Sequence, residues 1–241
     1  MYNMSQKVSA LPIGVPKIRF SFRNHLLPPF IGIAVSFLMY GLLNFPAFEA
    51  QGRYYATQLF TAPQTTAVAA NSVAVDDKLS KIIIPGINVK APVIYESSAD
   101  NTKIAYDLRS GVVHYGTTAL PGEKGNVVIF GHSSGVAWEL GDYKFIFTLL
   151  NKLQPGQQII LDYKGTQYVY VVTGSQIVAP NDMKVLDSNG AQSELSLITC
   201  TPVGTSTNRL VVHTKQVSPN PVNNAPLKPA NSASLNELPS N

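Results

Sequence analysis

Cys200 is the only cysteine among 241 residues, and nine positions later, in the stretch SLITCTPVGTSTNRLVV, Arg209 opens an apolar run. A thiol becomes a nucleophile as its thiolate, and a fixed cation nearby favours that form. Without such a neighbour a lone cysteine is read as a small buried hydrophobe. SLITC reads as the end of one strand, TPVGTSTN as a loop and RLVVH as the next strand. If the two strands pair antiparallel, Cys200 and Arg209 face each other at the mouth of one hairpin, where opposed Cβ atoms lie about 4.5–5.5 Å apart.

A nucleophilic cysteine also needs a proton-handling partner, usually an imidazole. The chain holds four histidines. His25 adjoins the apolar segment near the N-terminus, and His213 lies four residues along the strand from Arg209, about 13 Å at strand rise. His114 in GVVHYG and His132 in NVVIFGHSSG remain. Position favours His132, which follows an apolar strand and a glycine and opens a loop rich in Ser and Gly, where a rigid scaffold presents reactive groups.

The elements that must position these groups are mostly strands. KIIIP, INVKAPVI, NVVIF, QQIILDY, TQYVYVV, SQIVAP, SLITC and RLVVH are short runs rich in Val, Ile and Tyr between Gly, Pro and Asn, which is the strand signature. That many short strands in one domain imply a closed barrel or a sandwich. Lys164-Gly165 reads as a tight hairpin turn, and FIFTLLNKL, with helical spacing, as one short helix or turn laid over a barrel edge.

Residues 24–48 contain no Asp, Glu, Lys or Arg, and residues 26–48 have the length of a membrane-spanning helix, with Pro28 and Pro29 in its first turn. Lys7, Lys17, Arg19 and Arg23 precede it without an acidic residue. The positive-inside rule then leaves residues 1–25 cytoplasmic and the rest outside. The segment is longer than a signal-peptide core and lacks a clean small-residue cleavage site. Residues 49–75 read as a linker, 76–218 as one domain, and 219–241, with little large apolar content, as a disordered tail.

Charge excludes one class of partner. Four of the 18 lysines and arginines fall within residues 1–25, so the remainder of the chain balances its 14 acidic residues and has no basic stripe. Nucleic-acid binding has no support. Asp182 and Glu194 show no metal-ligand spacing, and neither a metal nor a cofactor is expected.

GVVHYGTTALPGEKGNVVIFGHSSG, followed some seventy residues on by LITCTPVGTSTNRLVV, resembles the sortase family, the membrane-anchored cysteine transpeptidases of Gram-positive-type bacteria. The likeness runs from KIIIPGINVKAPVI to RLVVHTKQV. It implies a mainly β fold, a closed eight-stranded sortase-type barrel with one or two short helices behind a single transmembrane helix. It further implies a Cys200, His132, Arg209 site at which Cys200 attacks the threonine carbonyl of a Leu-Pro-x-Thr-Gly-like sorting signal on a secreted protein. His132 protonates the departing amine, Arg209 positions the substrate or its oxyanion, and an amine of a cell-wall precursor or a pilin lysine accepts the chain. Thr199 and His114 match positions near the substrate site. No Asp-Pro-Phe or Asp-Pro-Trp lid precedes the barrel, while CTPVG is similar to the pilus-building class, so the subclass stays open. The L,D-transpeptidases, whose pattern is Ser-His-Gly-Cys-x-Arg, fit poorly. A non-enzymatic membrane-tethered β-domain is the alternative of a different class.

Overall fold

The computed structural model describes residues 27–43, 45–60, 80–95, 100–135, 141–188, 190–227 and 238–239. The chain divides into two units, Met1–Leu42 and Leu43–Asn241.

The described part of the first unit belongs to helix α1, Leu27–Leu43, whose 17 residues carry no charge and bury none of their side chains. At a rise of 1.5 Å per residue it is about 26 Å long. Among the described residues no helix is long and apolar enough to cross a membrane. The segment expected as a single span, 26–48, falls on α1 and on the start of a second helix, α2, Phe45–Phe60, and Asn44 between them lies outside the described residues. This helix runs into the stretch expected as a linker, 49–75, and residues 61–79 lie outside the described residues. Within the second unit, Tyr54 packs against the barrel core, and Lys152 Nζ donates to the Tyr55 hydroxyl at 2.6 Å.

Eight strands close into a barrel in the order β1-β2-β3-β4-β7-β8-β6-β5. They are β1 Lys81–Ile84, β2 Val89–Tyr95, β3 Val112–His114, β4 Gly125–Phe130, β5 Gln158–Tyr163, β6 Thr166–Val178, β7 Ser193–Thr201 and β8 Asn208–Ser218. The pairs β2–β3 and β4–β7 are parallel and the others antiparallel. The expected TQYVYVV and SQIVAP strands are one strand, β6, irregular near Gly174 where it crosses to β8. The three-residue β3 is too short to carry a periodicity of its own. Lys164 and Gly165 have φ of 47° and 74°, the left-handed pair that a two-residue hairpin requires.

Alternation along the strands sorts their apolar residues into two clusters. One draws on every strand, with Ile82, Val127, Ile129, Leu195, Leu197 and Val212 among its members, and fills the barrel. Phe147, Leu150 and Leu153 of FIFTLLNKL join it, and that segment, expected as one short helix or turn, forms turns and one 3-10 turn, Leu150–Lys152. The other cluster lies on the outer face of β3, β4, β7 and β8 and holds Val113, Val128, Phe130, Ile198 and Val211. It is covered by Ile104 and Leu108 around α3, Asn101–Asp107, and by Val185. The sequence reading missed α3. Its signal is Asp100, whose side chain caps the helix by accepting from Thr102 N at 2.8 Å.

The tail expected to be disordered from 219 onward is ordered over its first part. Pro221–Asn223 forms a 3-10 turn, Ala225 N donates to Gly122 O at 2.9 Å and Lys124 N to Ala225 O at 2.7 Å. Leu238 is only 1% exposed and belongs to the outer cluster. A composition poor in large apolar residues did not foreshadow this, because one well-placed leucine and a few backbone bonds suffice.

Candidate active site

In the β7–β8 hairpin Cys200 is the register partner of Arg209, and Ile198 of Val211. In the parallel β4–β7 pair Phe130 is level with Ile198, and the Gly131 N–H continues the ladder to Ile198 O at 3.1 Å. Phe130, Ile198 and Val211 share the outer face. With a side-chain period of two, His132, Cys200 and Arg209 follow them onto the same face. Extending the parallel register by two residues brings His132 level with Cys200, on strands about 4.8 Å apart. Cys200 and Arg209, nine residues apart, thus face each other, and His132 follows β4 at the same end of three adjacent strands.

The loop after β4 is held by its neighbours. His132 O accepts from Phe147 N at 2.9 Å, Ser133 O from Thr148 Oγ1 at 2.6 Å, and Ser134 Oγ from Gly204 N at 3.0 Å. A Cβ on Gly131 would come within 2.5 Å of the Phe147 ring, so the residue before His132 has to be glycine for the ring to pack there. Thr199 faces away from the thiol, and its Oγ1 donates to Gly131 O at 2.6 Å. This bond ties the Cys200 strand to the His132 loop, and Thr199 also lines a small cavity with Leu108, Phe130, Cys200, Arg209 and Pro239.

Arg209 is buried, at 2% exposure, and so is Cys200, at 3%. A buried guanidinium requires hydrogen-bond acceptors, and Arg209 has four main-chain carbonyls. Nη1 donates to Ser206 O at 2.9 Å and Asn208 O at 3.2 Å. Nε donates to Pro239 O at 2.9 Å and Nη2 to Leu238 O at 3.2 Å. The planar fork is therefore already directed at peptide carbonyls.

The other histidines are placed elsewhere. On β3, Val113 belongs to the outer cluster, so the adjacent His114 points into the barrel. There its ring lies 5.2 Å from that of Tyr95, and Nε2 is 2.8 Å from Ala119 O. The substrate-site position that the resemblance implied for His114 is thus on the far side of the sheet from the thiol. His213 contacts Gln176 at 2.9 Å and Ser196 at 3.4 Å, further along β8. His25 lies outside the described residues. Among the described residues no group of acidic, His or Cys side chains could hold a metal.

Burial pushes the pKa of His114 down from 6.5 to about 4, against a smaller opposing effect of the Ala119 carbonyl. The unfolded chain binds this proton below about 6.5 and the folded one only below about 4. The stability carried by the neutral ring is therefore present above 6.5 and lost as pH falls toward 4. We expect urea unfolding to show a loss on the order of 3 kcal/mol across that window, absent in His114→Gln. An unchanged slope in the variant would show that another group carries it.

The fold is a closed eight-stranded barrel with Cys200 and Arg209 paired at the end of the β7–β8 hairpin. The sortase domain model matches residues 82–217, more than half the chain, and the protein belongs to the sortase family. Sortase D of Bacillus subtilis (strain 168) is 29% identical over 138 residues, covering 56% of this chain and 62% of that protein. Sortase A of Bacillus anthracis is 29% identical over 150 residues, covering 62% and 65% respectively. The chain thus spans less than two thirds of the length of these curated relatives. The solved structure of sortase C1 of GBS Pilus Island 1 shares the fold at 21% identity, with a TM-score of 0.50 over 80% of this chain and 87% of that one.

Proposed function

We propose that this chain is a cysteine transpeptidase that cuts a Leu-Pro-x-Thr-Gly-like sorting signal and transfers the secreted protein to an amine. The observation that supports the reading is the register pairing of Cys200 with Arg209 at the end of the β7–β8 hairpin, beside the end of β4 from which the His132 loop follows. The Cys200 sulfur attacks the threonine carbonyl, forming a C–S bond as the C–N bond to the next residue breaks. His132 delivers a proton to the departing amine. Arg209 orients the carbonyl through its fixed donors. An acceptor amine of a cell-wall precursor or a pilin lysine then attacks the thioester, gives up a proton to His132, and releases the thiolate. Thr199 holds the two site strands in register, and His114 serves the barrel interior.

The test is incubation with a small library of Leu-x-x-Thr-x peptides and an amine, followed by intact mass. A thioacyl adduct on Cys200 and an aminated product are expected, and neither would appear if the thiol is inert. A second reading, a non-enzymatic tethered β-domain, is favoured by the burial of Cys200 at 3% exposure, and the same experiment separates the two.

The proposed location is the cell membrane, with residues 26–48 as the anchor, the N-terminus inside and the barrel outside. Protease added to intact protoplasts should remove the barrel and spare an N-terminal tag. A protected barrel would reverse the topology.

A further inference from the structure

The described residues of the far C-terminus are Leu238 and Pro239, and they lie in the site. Leu238 N donates to Pro180 O at 2.6 Å, and its carbonyl accepts from Arg209 Nη2 at 3.2 Å. The next carbonyl, of Pro239, accepts from Arg209 Nε at 2.9 Å. The Leu238 side chain is buried in the outer cluster with Ile104, Leu108, Val185 and Ile198. Pro239 forms part of the wall around Cys200.

This is how a groove receives a peptide: main-chain bonds fix the backbone at both ends, and one apolar pocket takes a side chain. The pocket has the walls expected for a leucine, and proline at the next position has no N–H needing a partner. NELPSN is otherwise a polar stretch, so its leucine has no reason of its own to be buried.

We propose that Leu238-Pro239 is an intramolecular occupant of the peptide groove, which covers Cys200, engages Arg209, and has to leave before a substrate with a leucine-proline step can bind. The inference rests on the reading of this groove as the peptide site. It also accounts for a reactive-site thiol that is nearly inaccessible: the tail takes part in closing it over.

A ligand that competes with a tethered occupant sees only the fraction of molecules in which the groove is open, and tethering keeps the local concentration of the occupant high. Three proteins are compared: the full chain, the full chain with Leu238→Glu, and the chain lacking residues 228–241. Two rates are measured, alkylation of Cys200 by a small thiol reagent and transfer of a Leu-Pro-x-Thr-Gly peptide. In both altered proteins alkylation should quicken by roughly tenfold and the apparent KM should fall by a similar factor, with kcat nearly unchanged. A synthetic peptide of residues 234–241 should slow alkylation of the shortened chain and compete with its substrate.

Equal alkylation rates and equal KM in all three proteins would overturn the proposal while leaving the transpeptidase reading intact. Faster alkylation without transfer of any peptide would support the occupant and sink that reading instead. Failure of both altered proteins to fold would also overturn it, since the tail would then be part of the core rather than a removable occupant.

Discussion

Cys200→Ala should abolish both the thioacyl adduct and transfer, with product at background under conditions where the unaltered protein turns over fully. The chain has no second cysteine, so no other thiol can take the acyl group. Of the hydroxyls nearby, Thr199 Oγ1 donates to Gly131 O and Ser134 Oγ accepts from Gly204 N. The substitution removes one sulfur from a site already walled by Phe130, Ile198 and Thr199, so the melting temperature should move little. The decisive readout is intact mass after incubation with peptide. An adduct on the alanine protein, or transfer that persists, would eliminate covalent catalysis by Cys200.

The second large effect separates the two histidines that the sequence left in competition. His132→Ala should lower transfer by about 10²–10⁴-fold, the usual range for loss of a general acid, while the thiol can still be alkylated. His114→Ala should retain most activity per folded molecule, because the ring points into the barrel beside Tyr95 and its loss is felt in stability. Transfer rates normalised to folded protein by circular dichroism provide the comparison. An inactive His114→Ala protein alongside an active His132→Ala protein would mean that β3, and not β4, presents the catalytic imidazole.

Much of the chemistry was legible in the sequence because it lies in local pattern. A cysteine ending one apolar run and an arginine starting the next, across a loop with Pro202 and Gly204, amount to a hairpin, and Cys200 and Arg209 are register partners in it. The Lys164-Gly165 turn was readable for the same reason, a glycine at a left-handed position between two β-rich runs. What could not be read was short or distant. Strand β3 has three residues and α3 has seven, too few repeats of either period to stand out in the sequence. Leu238 looked like one apolar residue in a polar tail, and nothing within the tail indicates that Pro180 and Arg209 await its backbone.

By itself the sequence determined a strand-rich domain, an uncharged apolar segment before it, and a thiol opposed to a cation, since each depends on neighbours within one or two turns of chain. Where His132 and His114 lie relative to that pair depends on the tertiary structure. Parallel pairing of β4 with β7 links residues 68 apart, as in Phe130 with Ile198, and a strand shifted by one residue would turn His132 inward. That register is set by the fit of Val128 and Phe130 against the outer cluster, and of Val127 and Ile129 inside the barrel. Both depend on the closure of all eight strands, which is a property of the whole chain and of no segment of it.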